Sequence, residues 1–308
     1  MEKLFLNQLQ GKRKADMSFR TVVISKQSKL SYKNRFLVVK QEDDEKYVHL
    51  SEIDTIIVDS ITVSVSAYLL KELADNKINI IFCDELHNPF GELIPFYSKH
   101  NSSKMISNQI KWNDELKNKV WQEIVKNKIT NQGLLLQKIH SEKSELILSY
   151  IRDITLGDKT NREGHAAKVY FNALFGNSFI RNTNDNINSA LNYGYSILLS
   201  TVSKEIINNG YLTQLGIHHK NEFNEFNLSC DFMEPFRIII DNFVYYNKNR
   251  KLDQQYKMDL VNIFNNKFKY DEKTYTLKDI IRLYVKNLLD YINDNENNNY
   301  KGFIFYEG

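Results

Sequence analysis

The sequence has few of the residues that define several classes of protein. Its 308 residues include two cysteines, three prolines and eleven glycines. Two cysteines, Cys83 and Cys230, are too few for a disulfide framework or a cysteine-rich zinc module, and this usage predicts a reducing, cytoplasmic location. The low proline and glycine contents exclude collagen-like and low-complexity chains. We therefore expect a globular protein that folds without covalent cross-links.

Long hydrophobic runs are also missing. No stretch approaches the roughly 18 apolar residues that a membrane helix needs, so we expect no membrane association. The first 16 residues, MEKLFLNQLQGKRKAD, lack the apolar segment and the small-residue cleavage site of a secretory signal. Because Met17 precedes SFRTVV, which looks like a natural start, residues 1–16 are predicted to be an extension ahead of an alternative start or a non-native addition.

The overall charge is nearly balanced. Lysine and arginine number 41 against 38 aspartates and glutamates, a net charge of +3, and the sequence pI is about 8.5. Domains that bind nucleic acid typically have a pI above about 9. The composition therefore permits DNA binding without requiring it, and any contact with DNA would come from a local basic patch.

Two halves of the chain differ in their hydrophobic pattern. Up to about Tyr97, short segments rich in β-branched and aromatic residues alternate with polar turns, which predicts strands at 20–25, 35–40, 47–50, 55–59, 78–83 and 91–97. The apolar run at 56–58 predicts a strand that is covered on both faces. Residues 63–75 change to a helical period.

After His100 the pattern is helical. Apolar residues at spacings of three and four predict helices at 112–139, 141–154, 161–175, 184–208, 235–246 and 277–292, with a small hairpin at 267–276. We place the boundary within residues 99–104. The chain is therefore predicted to have a β-domain at 17–98, a mainly α-helical domain at 104–296 and a C-terminal tail at 297–308.

A first candidate site lies in NREGHAAKVYFNALFG, residues 161–176. As a helix, this segment places Glu163, Ala167, Tyr170 and Leu174 on one stripe, with Asn161 as a possible N-terminal cap. Glu163 is a candidate for chemistry. It could equally be a first-turn carboxylate that stabilises the helix dipole. A further helix, NYGYSILLS at 192–200, predicts buried tyrosines with tethered hydroxyl groups.

A second candidate site lies in GIHHKNEFNEFNLSCDFMEPFR, residues 216–237. His218 and His219 are adjacent, so their rings point in different directions and at most one is expected to enter a given site. Asp231 and Glu234 are three apart and share one face of a helix. One imidazole and several carboxylates suit Mg²⁺ or Mn²⁺ better than structural zinc. Alternatively, the two acids cap the helix that opens at Pro235.

The motifs NREGHAAKVYFNALFG, GIHH and LSCDFMEPFR, in this order, resemble those of the CRISPR adaptation integrase family, CRISPR-associated protein one. SKLSYKN at 28–34 and LSEIDTIIVDS at 50–60 resemble the N-terminal β-domain of that family and point to its type II-A branch. The resemblance runs from about Met17 through the final helix. It implies two domains: a small, β-sandwich-like N-terminal domain with one helix, which dimerises, and a mainly α-helical, metal-dependent catalytic domain.

The resemblance also implies a ligand set. Glu163, His219 and Glu234 match the three metal ligands of the family, and Asp231 matches a further acid that assists in many members. Glu234 stands where many relatives carry aspartate, and Thr213-Gln214 replaces the proline that usually precedes the Gly–His segment. His218 is an additional imidazole, so the choice between His218 and His219 stays open.

The implied activity is strand transfer in CRISPR spacer acquisition, an antiviral defence. The 3′-hydroxyl ends of protospacer DNA would be joined to the leader–repeat end of a CRISPR array by transesterification, with Mg²⁺ or Mn²⁺ as cofactor. Arg237 falls where the family carries a cation near the DNA, and Lys168, Lys220, Lys248 and Arg250 are further candidate contacts. The alternatives are a catalytically inactive DNA-binding scaffold of the same fold and a general metal-dependent nuclease.

The resemblance implies several partners besides double-stranded DNA, both protospacer and CRISPR repeat. A homodimer would pack through the β-domain, and two dimers would be bridged by a small ferredoxin-like adaptation subunit, CRISPR-associated protein two, in a heterohexamer. In the type II-A branch, a ring-shaped DNA-end-binding protein and the RNA-guided effector nuclease would join them.

Overall fold

The computed structural model describes residues 20–42, 44–85, 87–95, 100–181, 183–294 and 299–305. The predicted extension at 1–16 and the ends of the predicted tail, 297–298 and 306–308, lie outside these ranges. The chain separates into two compact units, the first ending at residue 96 and the second beginning at residue 97.

In its described residues, the first unit contains two four-stranded sheets and one α-helix. One sheet has the order β1-β5-β7-β8 and the other β4-β3-β2-β6. The bounds are β1 Arg20–Ile24, β2 Lys29–Lys33, β3 Phe36–Gln41, β4 Asp44–His49, β5 Ile53–Val58, β6 Ser64–Val65, α1 Ala67–Asp75, β7 Asn79–Cys83 and β8 Pro89–Glu92. The prediction of a small β-domain with one helix is confirmed, although β2 was not among the predicted strands.

Strand β5 is the centre of the first sheet. It pairs in parallel with β1 on one side and with β7 on the other. Ile56, Ile57 and Val58 are all buried, which confirms the prediction that this run is covered on both faces. Parallel strands are usually buried in this way, and they therefore read as continuous apolar runs.

The second unit is mainly helical. Its elements are α2 Ser102–Ile110, α3 Asp114–Lys138, α4 Lys143–Ser149, α5 Arg162–Phe175, α6 Asn186–Asn208, α7 Asn227–Met233, α8 Arg237–Tyr246, α9 Gln254–Asn262, the hairpin β9 Lys267–Tyr270 and β10 Lys273–Thr276, and α10 Leu277–Asn293. The predicted helical domain and hairpin are confirmed. Helices α2, α7 and α9 were not predicted, because sequences of seven to nine residues carry little periodic signal. Across the described ranges, no helix combines the length and apolar character that crossing a membrane requires.

The centre of this unit is α3, which carries a buried polar face. Asn127 and Asn131 bond to the backbone of the segment 299–305: the Asn127 Nδ2 donates to the carbonyl oxygen of Phe303 at 2.6 Å, and the N–H of Phe305 donates to Asn131 Oδ1 at 2.9 Å. The Asn131 Nδ2 also donates to the carbonyl oxygen of Pro235 at 2.9 Å. These bonds hold α3 against the turn that begins α8, and Lys128 lies between the two asparagines.

Candidate metal centre

Glu163 lies in the first turn of α5. The predicted cap is confirmed, because Asn161 Oδ1 accepts from the N–H of Gly164 at 3.2 Å. Asp158 accepts from the backbone N–H groups of Arg162 and Glu163, each at 2.9 Å. Because these neighbours satisfy the helix end, the Glu163 carboxylate does not cap it. Instead, this carboxylate extends to the ammonium of Lys128.

Glu234 opens a 3₁₀ turn, Glu234–Phe236, between α7 and α8. Its side chain is only 6% exposed, and Lys128 Nζ lies 2.5 Å from its Oε2. Arg237 Nη1 lies 3.1 Å from its Oε1. Burial acts to raise the pKa of Glu234, but Arg237 and Lys128 outweigh burial and lower this pKa to about 2. Glu234 is therefore ionised at neutral pH.

Lys128 connects the two glutamates, and sequence analysis missed it. Its side chain is 7% exposed and its Nζ contacts both Glu163 and Glu234. Burial acts to lower the pKa of Lys128, but the charges of the two glutamates raise it overall. The available signal was the polar cluster NKITNQ within the apolar periodicity of α3, where five of six residues are polar on a helix that is otherwise packed into the core.

His219 pairs with Asp231. The His219 Nδ1 lies 2.6 Å from Asp231 Oδ1. Because Asp231 also accepts from neighbouring backbone N–H groups, it is the acceptor here and Nδ1 carries the proton. In the neutral imidazole, Nε2 then keeps the lone pair that a metal ion binds. The hydrogen bond that His219 donates to Asp231 raises the pKa of His219. This is the arrangement by which an outer carboxylate orients a metal-binding imidazole.

Asp231 also shapes the loop that carries His219. It is fully buried, and it accepts from the backbone N–H groups of Ile217, His218 and His219 at 2.7, 3.1 and 3.1 Å. A Cβ on Gly216 would lie 2.3 Å from the carbonyl oxygen of His219 and 2.9 Å from Asp231 Oδ2. Position 216 therefore requires glycine, and the hydrogen bonds of Asp231 hold the loop that carries His219.

His218 points elsewhere. Its ring stacks on Trp121, with centroids 4.1 Å apart and planes at 4°. Burial lowers the pKa of His218. The adjacent histidines therefore diverge, as their spacing predicts: one packs on an aromatic ring of α3 and the other pairs with Asp231.

A second buried carboxylate lies behind Glu234. Asp241 accepts hydrogen bonds from the hydroxyl groups of Tyr170 and Tyr195, which confirms the predicted tethering for Tyr195. Burial raises the pKa of Asp241 to about 6, although the two hydroxyls oppose this rise. The Arg237 guanidinium stacks on Tyr195, 4.5 Å from the ring centroid. Arg237 therefore contacts both Glu234 and a tyrosine that is hydrogen-bonded to Asp241.

The candidate DNA contacts are spread over the helical unit. Of the five, Arg237 contacts Glu234 directly. Lys168 and Lys220 are exposed, and a cavity of about 440 Å³ that reaches His219 is lined in part by Lys220. Lys248 lies over the ring of Tyr245, and Arg250 pairs with Asp259 at 3.0 Å. The last two follow the C-terminal end of α8, whereas the glutamate pair lies at its N-terminal end.

The donor set fits a hard divalent cation. Glu163 and Glu234 converge on one cationic group, and their charges together with that of Asp231 act on His219. Carboxylate oxygens with one imidazole suit Mg²⁺ or Mn²⁺. In the described ranges, however, no three His, Cys, Asp or Glu residues are grouped closely enough to hold a metal ion as they stand. The cation between the two glutamates is the Lys128 ammonium.

Comparison with the sequences of known proteins points to one family. The family model for CRISPR-associated protein Cas1 matches residues 21–267. A CRISPR-associated endonuclease Cas1 from Neisseria meningitidis serogroup C (strain 8013) is 35% identical over 226 residues, which is 73% of this chain and 74% of the relative. A second such relative, from Francisella tularensis subsp. novicida (strain U112), is 27% identical over 87% of this chain and 93% of its own length.

Solved structures share the fold. A casposase bound to integration product superposes with a TM-score of 0.78 at 18% identity, covering 94% of this chain and 95% of its own. A Cas1 protein from Thermotoga maritima gives 0.75 at 18% identity, covering 93% of this chain and all of its own. A chain of a Cas6-RT-Cas1–Cas2 complex gives 0.74 at 18% identity, and this protein spans 97% of its own length but only 37% of that longer chain. These likenesses establish the two-unit architecture.

Proposed function

The chain belongs to the Cas1 family of CRISPR-associated proteins, and from this membership we propose that it is a metal-dependent DNA integrase of CRISPR adaptation. It joins the 3′-hydroxyl ends of protospacer DNA to the leader–repeat end of a CRISPR array. The observation that carries the proposal is the convergence of Glu163 and Glu234 on one buried cation position next to His219. The endonuclease names of the relatives and the integration product bound to the structurally similar casposase support it.

Glu163, Glu234 and the Nε2 of His219 would hold Mg²⁺ or Mn²⁺. When bound, the ion would polarise the scissile phosphate, lower the pKa of the attacking hydroxyl and stabilise the leaving 3′-oxygen. Glu234 is prepared for this role because neighbouring cations keep it ionised. Asp231 keeps the proton on Nδ1 of His219 and so leaves Nε2 as the free donor.

Arg237 contributes charge without giving up a proton. Its salt bridge to Glu234 and its stacking on Tyr195 hold the guanidinium in a defined place at the start of α8. Such a group can form a bidentate contact with a phosphate. We expect the exposed Lys168 and Lys220 to bind the DNA backbone through charge alone, so DNA affinity should fall steeply as salt rises. Lys248 and Arg250 would extend this contact along the duplex.

The proposed partners follow from the family. Large apolar side chains on the β unit are exposed, among them Tyr68, Phe90 and Ile94, and their exposure supports a homodimer formed through this unit. The structurally similar Cas6-RT-Cas1–Cas2 complex supports Cas2, the small adaptation subunit, as a partner, and the heterohexamer stays a prediction. Membership of the type II-A branch, with its ring-shaped DNA-end-binding protein and RNA-guided effector nuclease, stays a prediction.

The test is a strand-transfer assay in which the adjacent His218 and His219 are replaced separately and the two variants are compared. A fluorescent 3′-hydroxyl duplex is incubated with a repeat-bearing plasmid, Mn²⁺ and the small adaptation subunit. We expect His219→Ala and Glu234→Ala to reduce joined product by at least about 100-fold, since each removes a ligand or its charge. His218→Ala loses ring contacts with Trp121 and His219 but no proposed metal ligand, and Glu222→Ala alters an exposed acid of the same loop; both variants should retain the product.

The same assay separates the alternatives. Tight duplex binding without any joined product from the wild-type protein would favour the inactive scaffold. Multiple-turnover cleavage of plain duplexes, with no preference for free 3′ ends or repeat-bearing targets, would favour a general nuclease. Because strand transfer exchanges one phosphodiester for another, an integrase should also release the joined strand from branched DNA, and failure of this reverse reaction would count against the proposal.

A further inference from the structure

The position that a divalent cation would take between Glu163 and Glu234 is filled by part of the chain itself. The Lys128 ammonium contacts both carboxylates, and its side chain is as deeply buried as that of Glu234. In the described ranges the acids and histidines do not form a closed metal cluster. An ammonium and a divalent ion on the same pair of oxygens would repel each other strongly in so little solvent. One of the two cations must therefore leave when the other binds.

The backbone that carries Lys128 is held in place. Asn127 and Asn131, one position before it and three after, bond to the segment 299–305 and to the carbonyl oxygen of Pro235. A movement of α3 as a whole would break these bonds. The ammonium, by contrast, is at the end of four rotatable carbons. The movement that frees the carboxylates is therefore a change of side-chain conformation with the helix at rest.

A small cavity beside Gln132, one helical turn from Lys128, can receive the displaced ammonium. A cavity of about 20 Å³ is lined by Lys128, Gln132, Tyr195, Glu234 and Asp241, among others. About 10–15 Å³ is enough for a group the size of a water molecule, and an ammonium is of similar size. Within the described residues, the buried Oε1 of Gln132 has no hydrogen-bond partner. Asp241 adds a carboxylate on which the charge of Lys128 already acts.

We infer that Lys128 is an internal counter-ion that holds the place of the metal ion between Glu163 and Glu234, and that its ammonium moves to Gln132 and Asp241 when a divalent cation binds. The inference rests on the proposed function for the identity of the metal ligands. It assigns Lys128 and Gln132 positioning roles toward the metal. Lys128 keeps the metal-free glutamates charged and together, at the cost of competing with the ion.

The test measures Mn²⁺ affinity of the full-length protein by electron paramagnetic resonance of the free ion, without DNA. Lys128→Met keeps the length of the side chain and removes the competing charge, so Mn²⁺ should bind at least about 10-fold more tightly. Lys126→Met is the matched control, because Lys126 lies on the same helix and pairs with Glu123 at the surface. It should leave the affinity unchanged. Equal or weaker binding by Lys128→Met would overturn the inference.

Gln132→Met tests the receiving site. It removes the acceptor for the displaced ammonium, so it should weaken Mn²⁺ binding by about 3–10-fold in the wild-type background and have no effect when combined with Lys128→Met. An equal effect in both backgrounds, or none in either, would contradict the role of Gln132. If Lys128→Met does not fold, Lys128→Gln, which offers an amide to the glutamates, should show the same tightening.

Failure of this inference is distinguishable from failure of the proposed function. If wild-type Mn²⁺ binding is lost in His219→Ala but is not tightened by Lys128→Met, the metal centre stands and the counter-ion role falls. If neither the wild-type protein nor Lys128→Met binds Mn²⁺ in a manner that depends on His219, both are wrong. Binding that appears only in Lys128→Met would mean that the ammonium blocks the site and does not leave it, and this result would overturn the movement to Gln132 and Asp241.

Discussion

The two units of this protein bury different kinds of side chain. The core of the β unit is built from aliphatic residues such as Leu30, Ile56 and Ile80. Among the described residues, the β unit buries one charged side chain, Asp59, whereas the helical unit buries several, namely Lys128, Asp158, Asp231, Glu234, Asp241 and Lys257. A buried charge costs stability unless it is paired. A unit that concentrates such groups beside its core therefore has a requirement other than stability, and this contrast separates the structural unit from the chemical one.

Within the helical unit, two buried carboxylates seven positions apart are held in different ways. Glu234 is surrounded by Lys128 and Arg237, and these cations lower its pKa to about 2. Asp241 is approached by two neutral hydroxyl groups, and burial raises its pKa to about 6. The neighbouring charge, rather than burial alone, decides which carboxylate is prepared to bind a cation.

The largest expected effect tests the structural unit. Ile56→Ala removes a fully buried side chain from the central strand β5 and should lower the free energy of unfolding by about 2–5 kcal/mol. Both tryptophans, Trp112 and Trp121, lie in the helical unit. Urea unfolding followed by circular dichroism together with tryptophan fluorescence will therefore separate the two units.

Ile61→Ala is the matched control for that measurement. Ile61 is 60% exposed, so the same truncation should change stability by less than about 0.5 kcal/mol. Neither change should alter Mn²⁺ affinity. Weaker Mn²⁺ binding by Ile56→Ala would show that the metal centre depends on the β core, and the contrast between the units would fail.

The next effect concerns the pH dependence of stability. Because the pKa of Asp241 is raised from about 3.8 to about 6 on folding, the folded protein keeps a proton between pH 4 and 6 that the unfolded chain has lost. The free energy of unfolding should therefore decrease by about 3 kcal/mol as pH rises through this window. Glu234 acts in the opposite sense: its stabilisation is present above about pH 4.5 and is lost as pH falls toward 2.

Asp241→Asn isolates this effect. The difference in free energy of unfolding between Asp241→Asn and wild type should change by about 3 kcal/mol between pH 4 and 7, in favour of the variant at the higher pH. Asp271→Asn, which alters an exposed aspartate, should give a constant difference. If the difference in free energy of unfolding for Asp241→Asn also stays constant with pH, the two tyrosine hydroxyls offset the effect of burial on the pKa of Asp241 completely.

The smallest effect concerns Asp231. Asp231→Asn places an amide N–H₂ against backbone N–H groups that now donate to the carboxylate, and it removes the group that orients His219. Mn²⁺ affinity should fall by about 10–100-fold. Since Asp231 raises the pKa of His219, the residual binding should persist to lower pH than in the wild type.

Glu225→Gln provides the control for Asp231→Asn, because it makes the same chemical change at an exposed position of the same segment. Titration of Mn²⁺ at several pH values measures both predictions. If Asp231→Asn weakens binding but leaves its pH midpoint where the wild type has it, Asp231 supports only the loop and not the imidazole.

Prediction from sequence succeeded where the signal is local. The strand at Ile56 carries a continuous apolar run, and the long helix α3 carries apolar residues at spacings of three and four, so these local patterns were enough to identify both elements. Short elements such as α2 and α7 were missed, because a few turns that are stabilised by surrounding contacts carry little periodicity of their own. The stripe predicted on α5 is confirmed at Tyr170 and Leu174, but Ala166 rather than Ala167 is buried. A helix that is packed on several sides does not follow a single stripe.

The residues of the candidate site also divide into those that a sequence motif identified and those that only the structure brought together. Motif resemblance identified Glu163, His219 and Glu234 as candidates, although their role as metal ligands stays a prediction. Lys128 and Gln132 belong to no motif that the sequence analysis recognised, and on α3 they read as ordinary polar positions. Their place beside two glutamates results from asparagine bonds to a segment more than 170 residues away in the chain.

By itself, the sequence determined the order of a β unit and a helical unit, the buried central strand and the family, because periodicity and motif order are properties of neighbouring residues. Tertiary structure alone decided which charges meet. It turned His218 onto Trp121 and His219 toward Asp231, and it placed the Lys128 ammonium between two carboxylates. The energy of a buried charge depends on every group within a few ångströms, and these groups come from distant parts of the chain.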